Sequence, residues 1–374
     1  MRTGRRAALL VALASFCVAL APAARAETIT VDGGAAQVVK IELKQAALTV
    51  RTWDRSTVEV DAEPGAVAVS HSIRQGGPAP VSMLVPAAQL RRPTGPVGLP
   101  SETFVISTLP GGKHDFVQVQ ATNSGRAGPV TVTVPSDTAV LLINVERGSV
   151  GLHDYKGGTF VVYVRNGQTV LQNVGGDGFV QVLQGNVQAF DSNFNRLRVR
   201  TAVGTQVYQR CHAKQIEALS VESAVVYEGT FEPGLARVES TDGNVAVGVS
   251  GATHLVGLAG AGRVYTAFDQ KTPIQGRGAE ASATYSGGGP LVNASSATGS
   301  VYFYDGILSP QRKLPPEWRP VIMSMRPEWY LPALPRREFP PNAPPRVQGA
   351  KQRPLPPPRP FFHPRPAQPH PRPR

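Results

Sequence analysis

The chain predicts an all-β fold, a parallel β-solenoid or β-helix, and three observations predict it. First, a glycine followed two or three residues later by valine recurs at Gly148, Gly167, Gly185, Gly204, Gly243 and Gly262, with Ser223 in the equivalent place, at steps of 18–20 residues. Gly299 follows after a double gap, which leaves room for a degenerate row near Ala281. Second, the stretches between these glycines are short runs of β-branched and aromatic residues, continuous in Phe160–Val164 and alternating with a polar residue in Phe179–Val182 and Val187–Ala189. Period-two patterning bounded by glycine and asparagine is a strand–turn signature. Third, no stretch carries the i, i+3, i+4, i+7 spacing of an amphipathic helix. A unit of about 19 residues cannot bury its own inner face, whereas stacked units can, each coil pairing with the next at ~4.8 Å. Roughly nine coils would then span about 40 Å. An antiparallel sandwich, or a propeller made by merging units in pairs, is the alternative.

The elements follow in chain order. Residues 1–26 hold Arg2, Arg5, Arg6 and Arg25 and no acid, with an apolar run from Ala7 to Pro22 and a small-x-small site at Ala24–Ala26. This is the pattern of a secretory signal peptide. Cys17 follows Phe16, which does not suit a lipobox, so lipid attachment is not expected. Residues 27–74 carry alternating runs, Val38–Leu43 and Leu48–Trp53 among them, that read as first coils or a covering sheet. Residues 75–115 are rich in proline and glycine and break the rhythm as an insertion or long loop. The repeats occupy 116–308. A segment at 309–338 repeats Pro-Glu-Trp at 316–318 and 327–329, which places Trp318 and Trp329 as a cap on the folded body or an aromatic contact for a partner. Residues 339–374 form a basic, proline-rich tail expected to sample polyproline II and stay disordered.

The run VTVTVPSDTAVLLINVERGSVGLHDYKGG, continued by further G-x-V rows, resembles the adhesin-like β-strand-repeat domains of bacterial envelope proteins, the autotransporter adhesin head type, whose function is not established. The opening VRTWDRSTVEVDAE is similar to that family's start. The likeness covers about 28–70 and 116–305 and implies a secreted right-handed repeat without defined catalytic residues. The 75–112 segment and the proline tail depart from the pattern, and no site residue carries over.

The formal net charge of +12 is unevenly spread. From 309 to 374 there are 13 Lys+Arg against 3 Asp+Glu, and 21 of the 35 prolines. The body is therefore close to neutral and the tail is cationic. Arg353, Arg359, Arg365, Arg372 and Arg374, with Phe361 and Phe362 among them, suit phosphate and carboxylate groups, which arginine grips in bidentate fashion. Export favours an anionic envelope polymer as partner (peptidoglycan, lipopolysaccharide or teichoic acid) over nucleic acid. A solvated spacer is the plainer reading of the same tail.

Chemistry is sparse. The seven histidines are scattered, and Cys211 is the single cysteine after the leader. Beside His212 it invites a cysteine–histidine reading, but neighbours on a strand point to opposite faces, so a buried structural thiol is expected. No metal site, cofactor or membrane-spanning helix is expected in the mature chain. β-Solenoids also host polysaccharide lyases and hydrolases, which need carboxylates on neighbouring coils. Glu222 and Asp242, 20 residues apart beside the glycine corner, are the weak candidates for such a pair. The expectation is thus a non-catalytic, exported adhesin or scaffold with a polyanion-binding tail, located in the periplasm, at the cell surface or outside the cell. A carbohydrate-active enzyme is the alternative.

Overall fold

The computed structural model describes residues 26–32, 36–76, 79–85, 88–92, 95–99, 102–109, 112–122, 126–268, 272–306 and 321, with side chains left aside at 36, 37 and 74–113. The named elements are all β-strands, 25 of them. The expected leader and the basic tail lie outside the described residues. Among those described, no helix is long and apolar enough to cross a membrane.

One large sheet contains 21 of the strands. Its central part is a parallel ladder in which the chain returns on itself at a fixed interval. Val140–His153 pairs with Thr159–Gln172, with Leu142 opposite Val161 and Gly148 opposite Gly167. Thr159–Asn166 pairs with Asp177–Gln184. Gly175–Gln184 pairs with Asn193–Val203, and that stretch with His212–Glu222. Gln206–Ala213 pairs with Val225–Phe231. Parallel strands on successive rows place like positions directly over one another. Leu141, Ile143 and Val145 thus stack with Phe160, Val162 and Val164 and then Val180 and Val182 in one continuous buried core.

The recurring glycines form a common column. Gly148, Gly167, Gly185 and Gly204 have φ values of 127°, 151°, 140° and 142°, a region open to glycine. Each presses on the row before it. A Cβ on Gly167 would collide with the carbonyl of Gly148, and one on Gly185 with the carbonyl of Gly167. Inner hydroxyls close the same corner: Ser220 donates to the Gly204 carbonyl, Ser240 to that of Ser223 at 2.7 Å, and Ser296 to that of Gly243 at 2.6 Å. At a second corner, Asp154, Asn173, Asp191 and Arg210 stand over one another with φ of 51–59°. Asp and Asn tolerate the left-handed region better than most side chains.

Row order departs from chain order at both ends. The repeat predicts rows in chain order, Gly243, then Gly262, then a degenerate row near Ala281, then Gly299. Instead, Leu291–Asp305 lies between the first two: Ala236–Ser240 and Val245–Val249 pair with it on one side, His254–Ala259 and Val264–Ala267 on the other. The expected degenerate row near Ala281 is an antiparallel edge instead, since Glu280–Tyr285 runs against Thr253–Leu258 and is itself paired with Ile274–Arg277. The first end mirrors this. Ala36–Trp53 lies between Val140–His153 on one side and the strands around Phe116–Gln120 and Val130–Pro135 on the other. Antiparallel strands Thr57–Ala62 and Val67–Gly76 cover that outer row. A glycine–valine spacing specifies which corner a residue occupies but not which row lies beside it. That is why the pattern alone misorders the ends.

The segment expected as an insertion forms two antiparallel pairs, Ala79–Val85 with Glu102–Leu109 and Ala88–Arg92 with Gly95–Leu99. Its strands lie against the outside of the stack, Glu102–Leu109 near Thr159–Gln172 and Gly95–Leu99 near Asn193–Val203. Outward-facing Val140, Leu142, Val161, Tyr163 and Phe179 form a second apolar cluster on that side. Gln181 is fully buried there, and neither its amide nitrogen nor its amide oxygen has a hydrogen-bond partner. A buried unsatisfied polar group costs about 1–3 kcal/mol. Gln181→Met should therefore stabilise the fold by about 1 kcal/mol, read as a raised midpoint in a urea melt, and a lowered midpoint would refute the argument.

Candidate functional site

The parallel register that builds the core also builds columns on the outer surface. Thr159, Asp177, Arg196 and Gln215 are register partners on four successive rows. Val161, Phe179, Arg198 and Glu217 form the column two residues along. Together with Leu235 they enclose a lateral groove of about 360 Å³. Val161 and Phe179 supply an apolar floor at one end, and Leu235 is 55% exposed at the other.

Charge in the groove is paired across rows. Arg196 donates from Nη2 to Asp177 Oδ2 at 2.9 Å, and Arg198 from Nε to Glu217 Oε2 at 2.7 Å. Both arginines sit 19 residues from their carboxylates, one row apart. Such partly exposed pairs contribute roughly 0–1 kcal/mol each. Their geometric consequence is larger, because each guanidinium occupies a carboxylate oxygen that would otherwise face the groove. The groove thus presents two cross-row ion pairs between the hydrocarbon of Val161 and Phe179 at one end and that of Leu235 at the other.

Elsewhere the same periodicity makes ladders. Asn173 donates to Asp154 at 2.6 Å. Arg210 grips Asp191 through Nε at 2.5 Å and Nη2 at 2.8 Å. His212 contacts Thr230 Oγ1 through Nδ1 at 2.6 Å and Glu232 Oε1 through Nε2 at 2.8 Å. Hydroxyl, imidazole and carboxylate in that order resemble a nucleophile relay. Here, however, His212 lies in register between Asn193 and Thr230, so the arrangement is a rung between rows like its neighbours. The hydrogen bond from His212 holds the Glu232 carboxyl below the usual carboxylate range, and Arg210 does the same for Asp191.

These shifts set a pH dependence. A carboxylate with a lowered folded pKa stabilises the fold above its ordinary range and loses that contribution as pH falls through its folded value. The midpoint of thermal unfolding should thus decline in acid, below about pH 4, and Asp191→Asn should flatten the decline. The Asp191 contribution is about 0.5 kcal/mol for so exposed a pair. An unchanged slope in Asp191→Asn would show that the rung carries no such coupling.

Cys211 points into the core, with its thiol buried and pushed up to about 12, chiefly by that burial. His212 points out, so the two do not form a thiolate–imidazole pair. Glu222 lies opposite Val203 at the glycine corner. Asp242, one row on, takes a hydrogen bond from Thr298 Oγ1 at 2.6 Å, and its backbone N–H donates to Val221. Trp318, Trp329, Arg353, Arg359, Arg365, Arg372 and Arg374 lie outside the described residues. No group of three or more His, Cys, Asp or Glu side chains able to hold a metal occurs among the described residues. The groove escaped a sequence scan for stacked carboxylates because its signal is opposite charge at one repeat, Asp177 to Arg196 and Arg198 to Glu217.

Fold and surface define an all-β protein built on a parallel ladder, with a lateral groove of paired charges. No protein-family model matches the chain, and no curated protein does. Among solved structures, one described as a "putative cell adhesion protein" from Clostridium sporogenes matches at 8% identity, over 75% of this chain and 99% of that chain, with a TM-score of 0.23.

Proposed function

We propose that the protein is an exported, non-catalytic adhesin or scaffold, a β-solenoid of about nine coils whose lateral groove contacts a partner and whose cationic tail holds anionic envelope polymer. One observation carries the non-catalytic part. The groove carboxylates Asp177 and Glu217 are each occupied by an arginine one row away, which suits recognition and removes the free acid and base that glycan cleavage requires. The 18–20-residue return of the parallel ladder supports the solenoid reading. The leader at 1–26 supports export, to the periplasm, cell surface or medium. The excess of Lys+Arg over Asp+Glu from 309 to 374 supports a polyanion partner, and the alternation of arginine with proline keeps those charges spread along an extended chain. Val321, which packs against the outer cluster formed by Val207, Val226, Ala246, Tyr302 and Tyr304, supports reading the 309–338 segment as a cap on the body.

The test uses the mature protein with isolated envelopes and a panel of acidic glycans. Binding should fall as salt rises, and deletion of 340–374 should weaken sedimentation with envelopes at low salt. Arg198→Ala with Leu235→Ala should reduce capture of the groove's ligand while leaving tail-dependent sedimentation intact. New reducing ends or unsaturated products on any glycan would overturn the non-catalytic reading, decisively so if Glu222→Gln or Asp242→Asn abolished them.

A further inference from the structure

The row Leu291–Asp305 is seated between two rows that precede it in sequence. Its backbone is bonded along both edges: Val245 N–H donates to Ser300, Ala297 N–H to Ser240, Gly260 N–H to Ser296, and Val301 N–H to Arg263. Side chains reinforce one edge, with Tyr304 donating to Glu228 at 2.7 Å, Thr298 to Asp242 at 2.6 Å and Ser295 to Glu239 at 3.1 Å. The seat is shaped for this row from both sides. A Cβ on Gly248 would lie 2.6 Å from the Tyr304 ring, and one on Gly257 2.8 Å from the Phe303 ring. Each glycine therefore opens a socket that an aromatic of the row fills, one on the outer surface and one in the core. The loop that delivers the row, Ser286-Gly287-Gly288-Gly289-Pro290, carries positive φ at its first three residues, and nothing lies within 4 Å of where a Gly287 Cβ would be.

We propose that this seat is a strand-acceptor site whose specific ligand is a copy of row 291–305: the chain's own in the isolated molecule, a second chain's when the loop at 286–290 is cut or opened. The recognition is β-augmentation on two edges at once, with main-chain hydrogen bonds giving affinity and the two glycine sockets giving specificity. Two unpaired edges facing each other across one row's width leave any other state exposed to aggregation, so the seat is satisfied only by a strand. A short covalent loop keeps the chain's own row at high effective concentration and suppresses exchange in the intact protein.

The experiment places a site-specific protease sequence between Gly287 and Gly288 of the full chain and cuts the folded protein. The two pieces should stay together on gel filtration with an unchanged circular dichroism spectrum. A fluorescent peptide of residues 290–306 should then replace the resident piece, while the uncut chain takes it up at least ~100-fold less readily. The Phe303→Ala peptide should bind at least ~10-fold more weakly and a scrambled peptide not at all. Equal binding to cut and uncut protein would place the peptide elsewhere on the surface and overturn the proposal. So would unfolding on cutting, equal binding by the scrambled peptide, or failure of the peptide to exchange even in mild denaturant.

Discussion

Gly167→Ala should cost at least about 4 kcal/mol and leave little soluble, folded protein. The added methyl must enter space held by the Gly148 carbonyl, at a φ of 151° that disfavours any side chain. Neither atom can yield. The carbonyl belongs to the row below, Gly148 itself presses on Ala46, and Gly185 presses on Gly167 from above. Relief at one row would have to be propagated through the column. Gly65→Ala is the control: its φ of 71° is also positive, but a Cβ there meets nothing within 4 Å. That variant should lose about 1 kcal/mol and fold normally. The pair, compared by yield and urea midpoint, separates row-to-row contact from local backbone preference. Similar losses in both would mean that conformation alone, and not stacking, makes the column glycine.

Phe303→Ala should cost about 3–5 kcal/mol, the range for emptying a wholly buried aromatic site. The ring is fully buried, with Val247 and Thr266 as its backbone register partners and the Gly257 socket beside it. Gly257 cannot fill the void, because it has no side chain to move. The damage should also be local. Hydrogen exchange should show amide protection lost over 236–305 and kept over 140–203, since rows contact chiefly their neighbours. Uniform loss along the chain would indicate instead one all-or-none cooperative unit.

Both outcomes bear on what a single sequence discloses. The Gly148–Gly204 column was legible because a tight corner demands glycine wherever it recurs, and the interval between glycines is the length of one row. The inward alternation of Leu141, Ile143 and Val145 was legible for the same reason. The position of row 291–305 was not, because Gly299 satisfies its corner equally well above Gly262 or below it. The groove was half legible. Asp177 and Arg196 are visible as opposite charges one repeat apart, but the apolar floor reads as ordinary strand interior until Val161 and Phe179 are seen to face outward. Gln181 had no signal at all, since a glutamine in an outward position is unremarkable before the antiparallel pairs of 79–109 are laid near it.

The clasping of Ala36–Trp53 and Leu291–Asp305 by their neighbours bears on how such a chain can change its length over generations. Duplicating a unit within 140–249 adds a floor to the building and disturbs only the joints beside it. Duplicating a unit at either extremity would separate a clasped strand from one of its two partners and strand it at a bare edge. Divergent descendants of this chain should therefore differ in the number of their middle units while keeping the architecture of both ends.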